Sequence, residues 1–302
     1  MASKKDGKQQ ATSSGLAAIL FRPPVLVLVA LGVASTFLVP TAKQWLPDLS
    51  QRPEYLLKST EIETSPAPPW VPPDFLRQVV RRAGLPETLS VLDEDLTRRV
   101  AEAFGMHPWV REVVSVRKDF PARVFVQIRF REPAAMVRVR NGVYPVDGLG
   151  VLLPPEDFSV TETQEYPLIE NVLSTPQGAA GTAWGDPVVH GAARLAAVLK
   201  PFWHEFGLKS IRVPRRTKAR PEMKNLIYEL VTQGGSRIIW GRAPGVDYPG
   251  ELSSKQKIGR MAKYLADFGG FDHPHGPYEI DIRHWQEISR RPLTSARRQW
   301  RR

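Results

Sequence analysis

The stretch His107–Pro133, HPWVREVVSVRKDFPARVFVQIRFREP, constrains the fold more than any other part of the chain. Two apolar-alternating segments flank the turn Lys118-Asp119-Phe120-Pro121-Ala122. In the second, Val124, Val126, Ile128 and Phe130 fall on one side, and Arg123, Gln127, Arg129 and Arg131 on the other. A period of two predicts a strand with one buried and one wet face. The turn between the segments predicts a β-hairpin. A hairpin of this kind carries no catalytic group, so it points to a scaffold rather than an enzyme.

The sequence before the hairpin supplies what covers it. YLLKSTEIE (55–63) is predicted as a strand, and SPAPPWVPP (65–73) is too proline-rich for regular structure. Asp74 is a candidate cap for a helix with Leu76, Val79, Val80 and Ala83 on one face, ending near Gly84. Asp93 is a candidate cap for a second helix through Leu96, Val100, Ala103 and Phe104, stopped by Gly105 and Pro108. A small sheet with two helices on one face satisfies all of these apolar stripes.

Beyond residue 134 the pattern turns to short strands and further helices. VYPVDGLGVLLP (143–154) reads as strand, turn at Asp147-Gly148, and strand. Asp186-Pro187 opens a helix that buries Val188, Ala192, Leu195 and Leu199. NLIYELVTQGGSRIIWG (225–241) reads as a hairpin around Gly234-Gly235. Residues 251–268 form an amphipathic helix through Ile258, Met261, Leu265 and Phe268. YEIDIRHW (278–285) is the last predicted strand, with Tyr278, Ile280 and Ile282 opposed to Glu279, Asp281 and Arg283.

Near the start, the 20 residues between Arg22 and Lys43 carry no charge. At helical rise they extend roughly 30 Å, about the apolar thickness of a bilayer. A cleaved signal peptide also has an apolar middle, but its apolar region is shorter and no A-x-A site follows here. The segment is therefore expected to be an uncleaved transmembrane helix. Lys4, Lys5, Lys8 and Arg22 on the N-terminal flank place that end in the cytoplasm.

Chemistry is scarce. The sequence has no phosphate loop, no GxGxxG after a strand, no HExxH and no GxSxG. Cysteine is absent, which excludes disulfides and thiolate metal sites. His273-Pro274-His275 presents two imidazoles without a third ligand and reads as an exposed loop. The net charge of +11, from 42 basic against 31 acidic side chains, favours anionic partners. The basic run RVPRRTKAR (212–220) has no interleaved aromatic residues, unlike a base-stacking platform, and reads as a solvated loop. The arginine-rich end ARRQWRR reads as a solvated tail. No enzyme activity, cofactor, metal or nucleic-acid partner is expected.

Taken in order, the motifs HPWVREVVSVRKDFPARVFVQIRFREP, PVDGLGVLLP, Gly241-Arg242 and EIDIRH resemble the FtsQ/DivIB family of bacterial cell-division proteins. The stretch after Arg283, HWQEISRRPL, departs from the family's glycine-containing continuation. The resemblance implies an α+β fold: a single transmembrane helix, then a POTRA domain of order β-α-α-β-β, then a mainly antiparallel β domain with flanking helices. The expected divisions are a cytoplasmic tail (1–22), the transmembrane helix (23–42), a linker (43–53), the POTRA-like domain (54–133), the β domain (134–288) and a basic tail (289–302).

The resemblance also implies a non-catalytic scaffold at the cell inner membrane, with its folded domains extracytoplasmic. Its partners would be small coiled-coil proteins of the FtsB/FtsL type and an upstream recruiter of the FtsK type. The expected route is strand addition to the edge of the last strand. The candidate partner-binding residues are Arg242, Tyr278, Ile280, Asp281, Ile282, Arg283, His284 and Trp285, with Val116 and Lys118 on the hairpin. Arg242 and Arg283 are candidates to meet acidic partner residues, with ion pairs inside this chain as the alternative; Asp281 and Arg283, two apart on one strand, can pair with each other or with a partner. Alternative readings are a POTRA-bearing component of secretion or outer-membrane assembly, and an anchored periplasmic cell-wall enzyme.

Overall fold

In the computed structural model, which describes residues 27, 31, 32, 34, 52–214 and 222–293, the chain builds two α+β units around two separate apolar cores. The transmembrane helix expected over 23–42 is corrected. Among the described residues no helix is long and apolar enough to cross a membrane. Crossing takes about 20 apolar residues in one helix. Only Val27, Leu31, Gly32 and Ala34 of that segment are described, as helix. The rest of 23–42, like the tail 1–22 and most of the linker, lies outside the described residues.

The first unit comprises β1 (Leu56–Lys58), β2 (Glu63–Thr64), α1 (Phe75–Ala83), β3 (Thr88–Ser90), α2 (Leu96–Gly105), β4 (Val110–Asp119) and β5 (Arg123–Phe130). β4 and β5 form the antiparallel hairpin that the alternation predicts, with Val124, Val126 and Ile128 buried and Arg123, Gln127 and Arg129 exposed. β2 pairs parallel to β5, giving a three-stranded sheet of order β2-β5-β4. The single strand expected over 55–63 is broken by a turn of 3-10 helix at Ser59–Glu61. Its first part pairs with β3, a strand that lacks a clear apolar alternation and is not predicted. The helix caps also differ from expectation. The Asp74 side chain accepts from the Gln78 amide at 2.9 Å instead of capping α1, and Asp93 accepts from the Asp95 amide before α2 begins.

The second unit contains β6 (Pro133–Val139), β7 (Gly142–Asp147), α3 (Val160–Glu165), β8 (Leu168–Glu170), α4 (Pro187–Leu199), β9 (Leu208–Arg212), β10 (Tyr228–Thr232), β11 (Arg237–Gly241), α5 (Ser254–Phe268), β12 (Tyr278–Asp281) and β13 (Ser289–Pro292). They form one sheet of eight strands, ordered β13-β12-β11-β10-β9-β8-β6-β7. Four of the sheet's seven pairings are antiparallel, as expected, and three are parallel: β6 with β8, β8 with β9, and β11 with β12. The cause is connectivity. α4 lies between β8 and β9, and α5 between β11 and β12, and a crossover of that length returns the chain in the same direction. Both helices bury their apolar residues against one face of the sheet, among Ile169, Ile211, Leu230, Ile238, Trp240 and Ile280.

The two cores meet at a polar joint. The Arg131 guanidinium, at the end of the first hairpin, pairs with Asp147 in the first turn of the second unit at 2.8 Å, both side chains largely buried. The other Asp147 oxygen accepts from the amides of Leu149 and Val151. Across the same joint Trp109 donates to Asp157 at 2.7 Å, and Leu153 inserts into the first core.

His107 packs into the first core with its ring 4.7 Å from that of Phe75. Burial, helped by the charge of Arg82, lowers its pKa to about 4. An unfolded imidazole titrates near 6.5, so the unfolded chain takes up the proton first. Stability is therefore full above about pH 6.5 and falls by about 2–3 kcal/mol as pH drops toward 4. Urea unfolding of the first unit's signal across that window should show this slope, and His107→Gln should flatten it.

Candidate protein-interaction site

The sequence points to the last strand as an exposed edge, and the structure corrects this. β12 lies between β11, parallel to it, and β13, antiparallel to it. Tyr278, Ile280, Asp281 and Ile282 are all buried. Tyr278, Ile280 and Ile282 belong to the apolar core, and the Tyr278 amide donates to the Ser236 hydroxyl at 2.8 Å. The edge belongs instead to β13, placed in a segment that the sequence suggests is a basic tail. SRRP has no apolar residue to show a strand period, and all four of its residues are exposed.

The two arginines expected to await acidic partner residues are already paired within the chain. Arg283 makes a two-pronged contact with Asp281, at 2.9 and 2.6 Å. That contact raises the Arg283 pKa; burial alone would raise that of Asp281, but the Arg283 hydrogen bonds hold it below its ordinary value. Arg242 binds Glu251 at 2.8 Å and lies over the Tyr248 ring. Glu251 also receives the ammonium of Lys257, a lysine buried against Trp240. Burial lowers the Lys257 pKa although Glu251 opposes the shift. Burial would raise Glu251, but hydrogen bonds from Lys257 and Arg242 outweigh it and lower its pKa. Gly241, at φ 98°, lets the backbone pass this cluster, since a Cβ there would stand 2.6 Å from Glu251 Oε1.

Of the remaining candidates, His284 and Trp285 are exposed in the connector between β12 and β13. Val116 and Lys118 sit on β4, the outer strand of the other sheet, where Lys118 donates to the Asp93 carbonyl at 2.8 Å. The structure therefore does not gather the ten candidates into one surface.

A set of charged residues that the sequence does not connect is arranged across the large sheet. The face opposite the helices carries a row of alternating charges, one from every strand but β7: Arg138, Glu170, Arg212, Glu229, Arg237, Glu279 and Arg291. The contacts are 3.0 Å for Arg138–Glu170, 3.8 and 3.9 Å from Glu229 to Arg212 and Arg237, 3.4 Å for Arg237–Glu279 and 3.1 Å for Glu279–Arg291. Glu170 lies directly opposite Arg212. A cavity of about 780 Å³ opens along this row beside Asn171, Arg212, Glu229 and Arg237. On the helix face, Arg290 lies 4.6 Å from the Phe268 ring and 4.9 Å from that of Tyr278. Arg260 of α5 donates to three carbonyls of the connector, those of Ile282, Trp285 and Glu287.

The buried Lys257–Glu251 pair gives a stability test. Glu251→Gln leaves a buried ammonium without its carboxylate and should cost about 3 kcal/mol. Lys257→Met should cost clearly less, because Arg242 still answers Glu251. The urea midpoints of the two variants decide the order.

No protein-family model matches the chain, and no curated protein matches it.

Proposed function

We propose that this chain is a non-catalytic scaffold of a bacterial cell-division complex, similar in role to the FtsQ/DivIB proteins. It works at the inner membrane with its two folded units on the extracytoplasmic side. Its partners are small coiled-coil proteins of the FtsB/FtsL type, held by strand addition at the β12–β13 end of the large sheet, and a recruiter of the FtsK type.

The observation that carries this reading is the way the sheet ends. Its last strand has four residues, all exposed, and is attached through main-chain pairing to a strand whose side chains are core. A sheet closed by so short a strand keeps the main chain of β12 close to its edge, where another chain can pair with it, the basis of strand-addition binding. A two-helix unit closed by the His107–Pro133 hairpin precedes this sheet, as the resemblance implies, although β3 stands between its two helices instead of the expected β-α-α-β-β order.

Depletion of the chain in its own bacterium is expected to yield long filaments with unclosed septa. A photo-crosslinker placed at Ser289 is expected to trap a coiled-coil membrane protein in those cells. Continued division at normal cell length after depletion contradicts the reading.

A further inference from the structure

We propose that β13 is a removable cover on β12, and that the strand taking its place carries two consecutive cations. One cation meets the Glu279 carboxylate and the other lies on the rings of Phe268 and Tyr278. The proposal rests on the strand-addition reading above and specifies which edge is used and what chemistry fits it.

The backbone of β13 ends the sheet rather than extending it. The Leu293 amide donates to the Pro277 carbonyl at 3.0 Å. Alternation along an antiparallel pair then turns the main chain of Arg291 and Ser289 toward β12, and that of Arg290 and Pro292 outward. Pro292 has no N–H to offer on that outer side. A short strand with arginines and an outward-facing proline is a protected edge, poor at accepting another strand. The edge able to pair fully is the one beneath it, on β12.

The attachment of β13 is of a kind that opens locally. All four of its residues are exposed, so leaving β12 costs no apolar core of its own. Elements with few buried apolar contacts open more easily than the sheet they belong to. What retains β13 is four residues of main-chain pairing, the Leu293–Pro277 hydrogen bond, the Arg291–Glu279 ion pair, Arg290 on two aromatic rings, and the flanking Ile288, half-buried against the core. Arg260 fastens the connector through three carbonyl hydrogen bonds of 3.1, 3.1 and 2.6 Å, so a displaced strand stays tethered and returns. A tethered strand competes at high effective concentration.

The contacts that β13 makes define its replacement. Successive side chains of a strand point to opposite faces, so Arg290 and Arg291 serve two different receptors at once. Glu279 faces position 291 directly, and like charges directly opposite are destabilising. An acidic strand is thereby disfavoured. A second copy of this chain, adding its β13 to the outer side of this one, would set arginine beside arginine and is disfavoured for the same reason. The occupant is a partner strand with adjacent basic residues.

The test uses the purified full-length chain and a fluorescein-labelled peptide with the sequence Glu287–Leu293, read by fluorescence anisotropy. Arg290→Glu/Arg291→Glu turns Glu279 against the cover and removes its ring contacts. Arg260→Ala releases the connector without changing the strand. Both variants, with folding checked by circular dichroism, are expected to bind the peptide about tenfold more tightly than the unaltered chain, or better. A peptide with Arg291→Glu should bind the same variants about tenfold more weakly. Peptide binding that is equal for the unaltered chain and both folded variants overturns the cover, as does equal binding of the acidic peptide. The division phenotype involves neither peptide, so the two readings fail separately.

Discussion

Strand register in the eight-stranded sheet is the constraint on which the rest of the structure depends. Side chains alternate between faces, so one register puts Ile211, Leu230, Ile238 and Ile280 under the helices and the charged row outside. A slip of one residue would exchange the two sets, burying arginines and wetting isoleucines. The row is half-buried at its centre and exposed at its ends, and cross-strand ion pairs of this kind contribute about 0.2–1 kcal/mol each. The charged row therefore adds little stability, while the apolar face supplies the burial. Its effect is to make wrong pairings worse, because each carboxylate sits between arginines.

The same constraint explains the end of the sheet. β12 inherits its position from β11 and α5, whose apolar residues share its core. β13 inherits nothing of the kind and is held from outside, by a carboxylate, two rings and a pinned connector. The joint between the units has the opposite character. Arg131 and Asp147 are buried together, and separating them would leave a charge without its partner. A buried ion pair at one end of the large sheet and a lightly attached strand at the other are consistent with the proposed scaffold role.

Local periodicity made much of this fold legible in the sequence. The hairpin of β4 and β5, the faces of α1 and α2, the Asp186-Pro187 start of α4 and the Gly234-Gly235 hairpin all follow from residues close in sequence. Sheet order was not legible, because neighbours such as β8 and β9 are joined through a helix and separated by many residues. The transmembrane helix expected from residues 23–42 has no counterpart among the described residues. The partner edge was misplaced for a physical reason: the alternation of YEIDI reports one face on the core and one facing out, and carries no information about whether the strand's edges are paired. SRRP, the strand that covers it, carries no apolar signal at all. Arg242 meets Glu251 only once the fold brings the loop after β11 back to it, whereas Arg283 and Asp281 are two residues apart and their pairing was open in the sequence.

The central claim is that a permanent sheet ends in a strand that leaves it. Amide hydrogen exchange on the full-length chain tests this directly. The account predicts that the amides of Glu279, Asp281 and Arg291 exchange orders of magnitude faster than those of Leu230 and Ile238, through a local opening that leaves β10 and β11 paired. Equal protection across all five amides would contradict it.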